Sequence, residues 1–300
     1  MARPPLVARS ARPVAPAARA RSPEELGAAT DVRIGVSSCL LGQNVRYDGG
    51  HKQDGFLTGL LAQFVRFIPV CPEVELGLGT PREAIRLVRD GALVRLVGGV
   101  TGADHTEPMR RLAEKRVAEL ARLDLDGYVL KKDSPSCGME RVKVYRGAVA
   151  TRDGRGAFAA VLLDRMPLLP VEEEGRLDDL PLRENFVERV FAHRRLRELF
   201  SGRRRAGGGG RSPARRGRWT VGDLVRFHAQ EKLLLLAHQP EAYRELGRLV
   251  AAAKRGPREE LARGYCELYM KALARPATRG RHVSVLQHMA GYFEDFAPDE

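Results

Sequence analysis

Val32-Arg33-Ile34-Gly35-Val36-Ser37 is an apolar, strand-like run, and it leads directly into the turn-like Ser38-Cys39-Leu40-Leu41-Gly42. The same pattern recurs twice. Phe67-Ile68-Pro69-Val70 precedes Cys71-Pro72-Glu73, and Tyr128-Val129-Leu130-Lys131 precedes Asp133-Ser134-Pro135-Ser136-Cys137-Gly138. A fourth strand-like run covers 142 to 145, and Leu93 to Val97 adds another after the Asp90-Gly91 turn. Helical patterns interleave with these runs near 53 to 65, 81 to 90, 105 to 122 and 157 to 166. Strand patterns alternating with helical ones predict an α/β domain with a mainly parallel sheet, Rossmann-like in architecture. In such sheets the loops at the carboxyl ends of the strands converge. Cys39, Cys71 and Cys137 each follow such an end, so they are expected to meet in space. No Gly-x-Gly-x-x-Gly follows the first run, so no dinucleotide is implied.

Beyond Asp178 the strand patterns stop and helical periodicity takes over. The expected helices are 181 to 201, 220 to 238, 240 to 254, 258 to 274 and 282 to 295, with Thr220 and Ser284 as start signals and Gly256-Pro257 as a stop. This predicts three parts: a disordered tail at 1–30, the cysteine-bearing domain at 31–178, and an all-α domain at 179–300. Glu172-Glu173-Glu174-Gly175 breaks both patterns and marks the boundary. Charge follows the same division. The net charge of +13 splits into +3, +1 and +9 over the three parts, so the excess lies mostly outside the cysteine-bearing half. That is the distribution expected where one domain does chemistry and the other meets a polyanion; the plain alternative is a solvated basic face. Seven arginines between Arg203 and Arg218 surround Gly207 to Gly210, a composition that reads as a flexible Arg/Gly loop at 202–218.

A content of 43% hydrophobic and 30% charged residues is that of a soluble protein, and the longest apolar run, Ala157 to Leu163, is far short of a membrane span. The first thirty residues lack the continuous apolar segment of a secretory signal. Four cysteines without such a signal point to the reducing cytoplasm, where clustered thiols bind metal or react more often than they form disulfides.

Three thiolates at one place leave one coordination position open. On a cubane iron–sulfur cluster, which ordinarily takes four thiolates, three would leave one iron vacant. Zinc is the competing reading, since a catalytic zinc also has three protein ligands and a vacancy, although the Cys-x-x-Cys and His-x-x-x-His pairs of zinc ribbons and zincins are missing. A third reading is that each cysteine simply packs as a small hydrophobe. That reading fits Cys266 best, within Tyr265-Cys266-Glu267-Leu268-Tyr269-Met270 on an expected helix.

Four stretches now carry a resemblance. Ser38-Cys39-Leu40-Leu41-Gly42, Arg46-Tyr47-Asp48-Gly49-Gly50-His51-Lys52, Pro69-Val70-Cys71-Pro72-Glu73 and Ser134-Pro135-Ser136-Cys137-Gly138 resemble the ordered motifs of the thiouracil desulfidase (TudS-like) family. In the second half, Phe191-Ala192-His193-Arg194-Arg195-Leu196, Phe227-His228, Ala277-Thr278-Arg279 and the run from Val285 to Phe293 resemble a helical domain often fused to that family. The fusion is similar to prokaryotic RNA desulfidases, which remove sulfur from 4-thiouridine in tRNA. The long arginine-rich loop departs from that pattern.

The resemblance implies a [4Fe-4S] cluster held by Cys39, Cys71 and Cys137, with one open iron to take the substrate's sulfur. It implies a non-redox reaction in which water adds to the polarised thiocarbonyl carbon and the carbon–sulfur bond breaks, giving uridine and sulfide. Glu73 is the first candidate to manage protons and Ser134 the second, as a hydroxyl able to orient base or water. The plain alternatives are that Glu73 caps a helix and Ser134 shapes the turn. Asp48, Lys52 and Ser136 are candidate substrate contacts. Arg194, Arg195, Arg279, Arg281, His282 and His288 are candidate phosphate contacts for a tRNA, and His228 and Lys232 share a helix face that could join them, although His228 and His288, beside apolar neighbours, read more readily as satisfied core histidines. Two further readings stay open: the same chemistry on free thiouracil, and a cluster-bearing RNA-binding sensor without catalysis.

Overall fold

The structure, a computed structural model, describes residues 32–201, 219–253 and 256–294. The expected tail and the Arg/Gly loop lie outside the described residues. No helix among the described residues is long and apolar enough to cross a membrane.

The first half forms two sheets. Strands β1 (Arg33–Ser37), β2 (Arg66–Val70), β5 (Gly127–Leu130) and β8 (Val171–Glu173) make an all-parallel sheet in the order β2-β1-β5-β8. Ile34 stands opposite both Phe67 and Gly127 in register, and Tyr128 opposite Val171. The second sheet has the order β4-β3-β6-β7, from β3 (Ile85–Asp90), β4 (Leu93–Gly98), β6 (Val142–Arg146) and β7 (Val149–Gly154). It is mixed: β3 and β6 run parallel, and each carries its own antiparallel hairpin partner. The mainly parallel α/β expectation therefore describes the first sheet, and the second was not foreseen.

One core lies between the second sheet, one face of the first, and helices α2 (Thr106–Ala121) and α3 (Ala157–Arg165), with Met109, Ala113, Tyr128 and Phe158 wholly buried. Gly35 is required here. A Cβ at that position would stand 2.2 Å from Tyr128 Cδ2, so only glycine lets the tyrosine ring lie across β1. The opposite face of the first sheet buries Ile34, Val36 and Val129 against Leu40, Leu57 and Leu61, and against Phe186 and Val190 of helix α4 (Leu180–Ser201). A Cβ on Gly127 would meet Val190 Cγ2 at 2.6 Å, which is how closely α4 approaches β5.

Helix α4 serves two cores. Its first half covers the sheet through Phe186 and Val190, while Ala192 and Leu196 enter the core of the helical half. Burying a side chain the size of Phe186 or Leu196 is worth about 1.5–3 kcal/mol, so the helix fastens the two halves together. The remaining helices are α5 (Val221–Gln230), α6 (Lys232–His238), α7 (Pro240–Ala251), α8 (Arg258–Leu273) and α9 (Arg279–Glu294). Thr220 does start α5, through a capping box in which Asp223 N donates to Thr220 Oγ1 and Thr220 N to Asp223 Oδ2, at 3.1 and 2.9 Å.

Several expectations are corrected. The helix expected at 81 to 90 is instead a strand from Ile85 to Asp90, because Ile85 and Leu87 are buried while Arg86 between them is exposed, a period of two. The helix expected at 53 to 65 is reduced to two short irregular turns, Phe56–Leu60 and Leu61–Gln63. The single helix expected at 220 to 238 breaks at Glu231, and Ser284 lies inside α9, donating to Gly280 O, where it starts nothing. Glu172-Glu173-Glu174 is no simple break: Glu172 and Glu173 end an edge strand and all three side chains are buried. Their carboxylates are consumed locally. Glu172 pairs with Arg176 at 2.7 Å, Glu173 accepts from Met139 N at 2.7 Å, and Glu174 accepts from Lys132 N at 2.7 Å and pairs with Lys131.

Candidate metal centre

Where β1, β2 and β5 end, the chain turns sharply three times. Cys39 lies in the tight turn Ser38–Leu41, which closes on Gly42 at φ +85. Cys71 immediately precedes the single helical turn α1 (Pro72–Glu75), whose first position is a proline, a residue with no N–H to leave unsatisfied there. Cys137 ends the loop after β5. Ser134 shapes that loop: its Oγ accepts from Ser136 N at 3.2 Å and from Cys137 N at 3.1 Å.

All three cysteines line one cavity of about 430 Å³, together with Glu73, Ser134, Arg46, Tyr47, Lys52, Arg82, Lys131 and Lys132. Cys39 and Cys137 are buried and Cys71 is half-buried; none is in a disulfide. Burial pushes all three thiols up, Cys39 to about 11, and the charges of neighbouring thiolates push Cys39 and Cys137 further. Lys131 opposes the rise at Cys39, Arg82 at Cys71, and the Ser37 hydroxyl, hydrogen-bonded to the sulfur, at Cys137. Desolvated thiolates gathered in this way call for positive charge between them. A single ion draws its ligands to within about 2.3 Å of one centre. The three cysteines share the wall of a cavity of about 430 Å³, which has room for a group with volume of its own whose metal atoms are bound by separate thiolates.

Glu73 lines the cavity as a fixed carboxylate. Its Oε2 accepts from Arg82 Nε and Nη2 at 3.0 and 2.7 Å, and its Oε1 accepts from Ser136 Oγ at 2.8 Å. Ser136 is wholly buried, and its hydroxyl is given to the Glu73 carboxylate. Asp48 is also spoken for: it closes its own turn by accepting from Gly50 N at 3.1 Å and pairs with Arg46 at 3.4 Å. Lys52 reaches the wall with its side chain exposed and its backbone N bonded to Cys39 O at 2.9 Å. Sequence reasoning missed Arg82, Ser37 and Lys131. The first had a visible signal, an arginine directly after Gly79-Thr80-Pro81 and shortly beyond Cys71-Pro72-Glu73.

Three of the six expected phosphate contacts, Arg194, Arg195 and Arg281, are paired within the protein. Arg194 is buried, 3.3 Å from Asp126 and 2.8 Å from Glu198. Arg195 forks onto the buried Glu231 at 2.6 and 2.7 Å, and Tyr269 donates to the same carboxylate at 2.6 Å. Arg281 donates to His238 O. These guanidiniums are engaged in internal pairs, with Arg194 buried and Arg195 keeping 44% of its side chain exposed. His228 stacks on Tyr243 at 4.7 Å and bonds Tyr265, a core role that separates it from Lys232. Arg279 and His288 are exposed and His282 partly so. Cys266 is half-buried with its thiol pushed up to about 12 by burial, away from the cavity.

The family described as 2-thiouracil desulfurase matches residues 34–174, the span that contains both sheets and the whole cavity. Residues 34–174 form a 2-thiouracil desulfurase-family domain. A second family, described as "Protein of unknown function (DUF1722)", matches residues 232–300, so the desulfurase-family domain is fused to a helical one. The chain is 28% identical over 151 residues to "Uncharacterized protein YbbK" of Bacillus subtilis (strain 168), covering 48% of this chain and 97% of that protein. It is 35% identical over 75 residues to "Uncharacterized protein YbgA" of Escherichia coli (strain K12), covering 25% of this chain and 44% of the other. Among solved structures, the [4Fe-4S]-dependent thiouracil desulfidase TudS is 35% identical, with a TM-score of 0.41, over 51% of this chain and 97% of that one. The second family match begins at Lys232, the first residue of α6, so α4 and α5 stand between the two matched segments.

Proposed function

We propose that this chain is a [4Fe-4S]-dependent desulfidase acting on 4-thiouridine in tRNA, converting it to uridine and sulfide with no net redox change. The observation that carries the reading is the convergence of Cys39, Cys71 and Cys137 on one cavity beside a carboxylate, inside a desulfurase-family domain. The three cysteines hold the cluster. When bound, it supplies an electron-poor iron that polarises the thiocarbonyl through its sulfur.

The chain's own residues do the rest. Glu73 takes a proton from the attacking water as its oxygen bonds to the thiocarbonyl carbon, and the proton goes on to the departing sulfur. Thiocarbonyl and water thus become carbonyl and hydrogen sulfide, with atoms and electrons balanced. Ser134 holds the Cys137 loop through its two backbone N–H contacts, and its own hydroxyl hydrogen remains available to the water. At the mouth, Lys52 and Lys132 form no ion pair with any described residue, and the +9 of residues 179–300 supplies long-range attraction for a polyanion. A base within folded tRNA would swing out of its stack to enter.

Free 2-thiouracil is the second reading, favoured by the family's description and by the internal pairing of Arg194 and Arg195. The whole chain, anaerobically reconstituted and incubated separately with thiolated tRNA and with the free base, tests both by mass spectrometry of nucleosides and by sulfide assay. Loss of 4-thiouridine with matching gain of uridine is the expected result. Turnover of the free base alone transfers the assignment to it, and activity persisting in Cys39→Ala overturns the cluster-based reaction.

A further inference from the structure

Arg82 is held on every side. Its Nε and Nη2 grip Glu73 Oε2, Nη2 also donates to Val45 O at 3.0 Å, Nη1 donates to Gly79 O at 2.7 Å, and its backbone N donates to Tyr47 O at 2.9 Å. The side chain is only 6% exposed. Val45 O also receives the Cys71 thiol at 3.8 Å, so one carbonyl stands between the guanidinium and a cluster-binding cysteine. Arg82 and Ile85 also line a second cavity of about 260 Å³, together with Leu78, Glu83 and His105.

These contacts are unequal in what they leave free. Two N–H donors at Oε2 stop the carboxylate from turning about its terminal bond, a hold that needs the planar fork of arginine. Oε1 has a single described partner, the Ser136 hydroxyl, which can rotate and reverse its bond. Resting on the desulfidase reading, we infer that Arg82 is the positioning residue for Glu73: it reserves Oε2, leaves Oε1 as the oxygen that serves the attacking water, and pins the Val45–Tyr47 loop over Cys71.

The test uses whole chains carrying Arg82→Ala, Arg82→Lys, or Arg82→Ala with Glu73→Gln. Iron per chain, kcat and KM are measured separately, together with the melting temperature of the metal-free proteins in low-millimolar guanidinium chloride. Arg82→Ala is expected to retain iron and KM but to lose kcat by about 100-fold, the scale of a catalytic group displaced by an ångström. Free guanidinium, entering the space left by the truncated side chain, restores at least part of that kcat and raises the melting temperature of Arg82→Ala, but not of the double variant. A single ammonium cannot make the same fork, so Arg82→Lys stays slow.

Wild-type kcat in Arg82→Ala overturns the inference, as does a loss that only tracks missing iron, or guanidinium without effect on melting. If Arg82→Ala does not fold, Arg82→Lys decides, with slow turnover at full iron content supporting the inference and unchanged turnover overturning it. Wild-type protein that releases no sulfide sinks the desulfidase reading instead, and the melting shift still reports on the Arg82–Glu73 slot.

Discussion

The carboxylate of Asp126, wholly buried at the foot of β5, lies 2.8 Å from Arg197 Nη2 on α4. Arg194 adds a second guanidinium at 3.3 Å, and the backbone N of Arg33 a third donor at 3.0 Å. One carboxylate thus ties the cysteine-bearing sheet to the helix that enters the second core. Removing one partner of a buried pair leaves the other charge uncompensated, at about 3–5 kcal/mol. Asp126→Ala is therefore expected to lower stability by that order in urea unfolding. A chain ending at residue 178 would lose Phe186 and Val190 from the sheet as well, and is expected to be insoluble or partly unfolded; a cooperative melt of that fragment would refute the shared-core account.

Glu73 and Ser134 are expected to fail differently. Glu73→Gln keeps the size of the side chain and its bond to Ser136, so iron content should hold while turnover falls by about 10²–10⁴-fold, the range for a lost general base. Ser134→Ala removes the acceptor for the N–H groups of Ser136 and Cys137, at about 1–3 kcal/mol if both are left unsatisfied. Its first consequence should be low iron per chain, read from the brown absorbance after reconstitution. Full iron loading in Ser134→Ala combined with abolished turnover would move Ser134 from shaping the loop to acting on the substrate.

His193 on α4 makes the helical seam sensitive to acid. Burial, with Arg197 and Arg189 nearby, pushes its imidazole down to about 4, and neither its Nδ1 nor Arg189 Nε has a hydrogen-bond partner among the described residues. An unfolded histidine titrates near 6.5. Because the folded value is depressed, the unfolded chain binds the proton first. The contribution of His193 is complete above pH 6.5, declines as pH falls toward 4, and amounts to at most about 3 kcal/mol. Chemical unfolding at pH 7 and pH 4.5 should show this loss, and His193→Gln should flatten the slope by close to one proton. An unchanged slope in the variant would assign the acid sensitivity to other groups.

How much of this could be read from the chain follows from where each signal resides. The convergence of Cys39, Cys71 and Cys137 was legible because strand ends in a parallel sheet share one edge, and that requires only local pattern. The strand at 85–90 was obscured because Arg82 and Glu83 before it, with Arg86 and Arg89 within it, mimic a charged helical face, and its period-two burial appears only when β6 is beside it. Arg194 and Arg195 looked like surface charges because their partners, Asp126 and Glu231, lie 68 and 36 residues away. Glu173 and Glu174 misled for the same reason: a run of acids reads as a solvated break until Met139 and Lys131, 34 and 43 residues away, close on it. Charge pairing over long sequence separations has no local signature.

Under the proposed tRNA reading, the same pairing indicates where affinity for the RNA should come from. Of the five cations lining the cavity, Arg82, Lys131 and Arg46 are neutralised by Glu73, Glu174 and Asp48, whereas Lys52 and Lys132 form no ion pair with any described residue and are exposed at the mouth. An unpaired lysine that meets a phosphate releases a counterion, so each one removed should lower the slope of log affinity against log salt by about 1. Binding of thiolated tRNA across a salt series is therefore expected to weaken and to lose slope in Lys52→Ala and Lys132→Ala. Arg195→Ala should behave in the opposite way, costing stability by leaving the buried Glu231 without its ion-pair partner while keeping the slope of the folded protein as it was. A slope that falls with Arg195→Ala and stays unchanged with both lysine variants would place the RNA on the helical face and away from the cavity mouth.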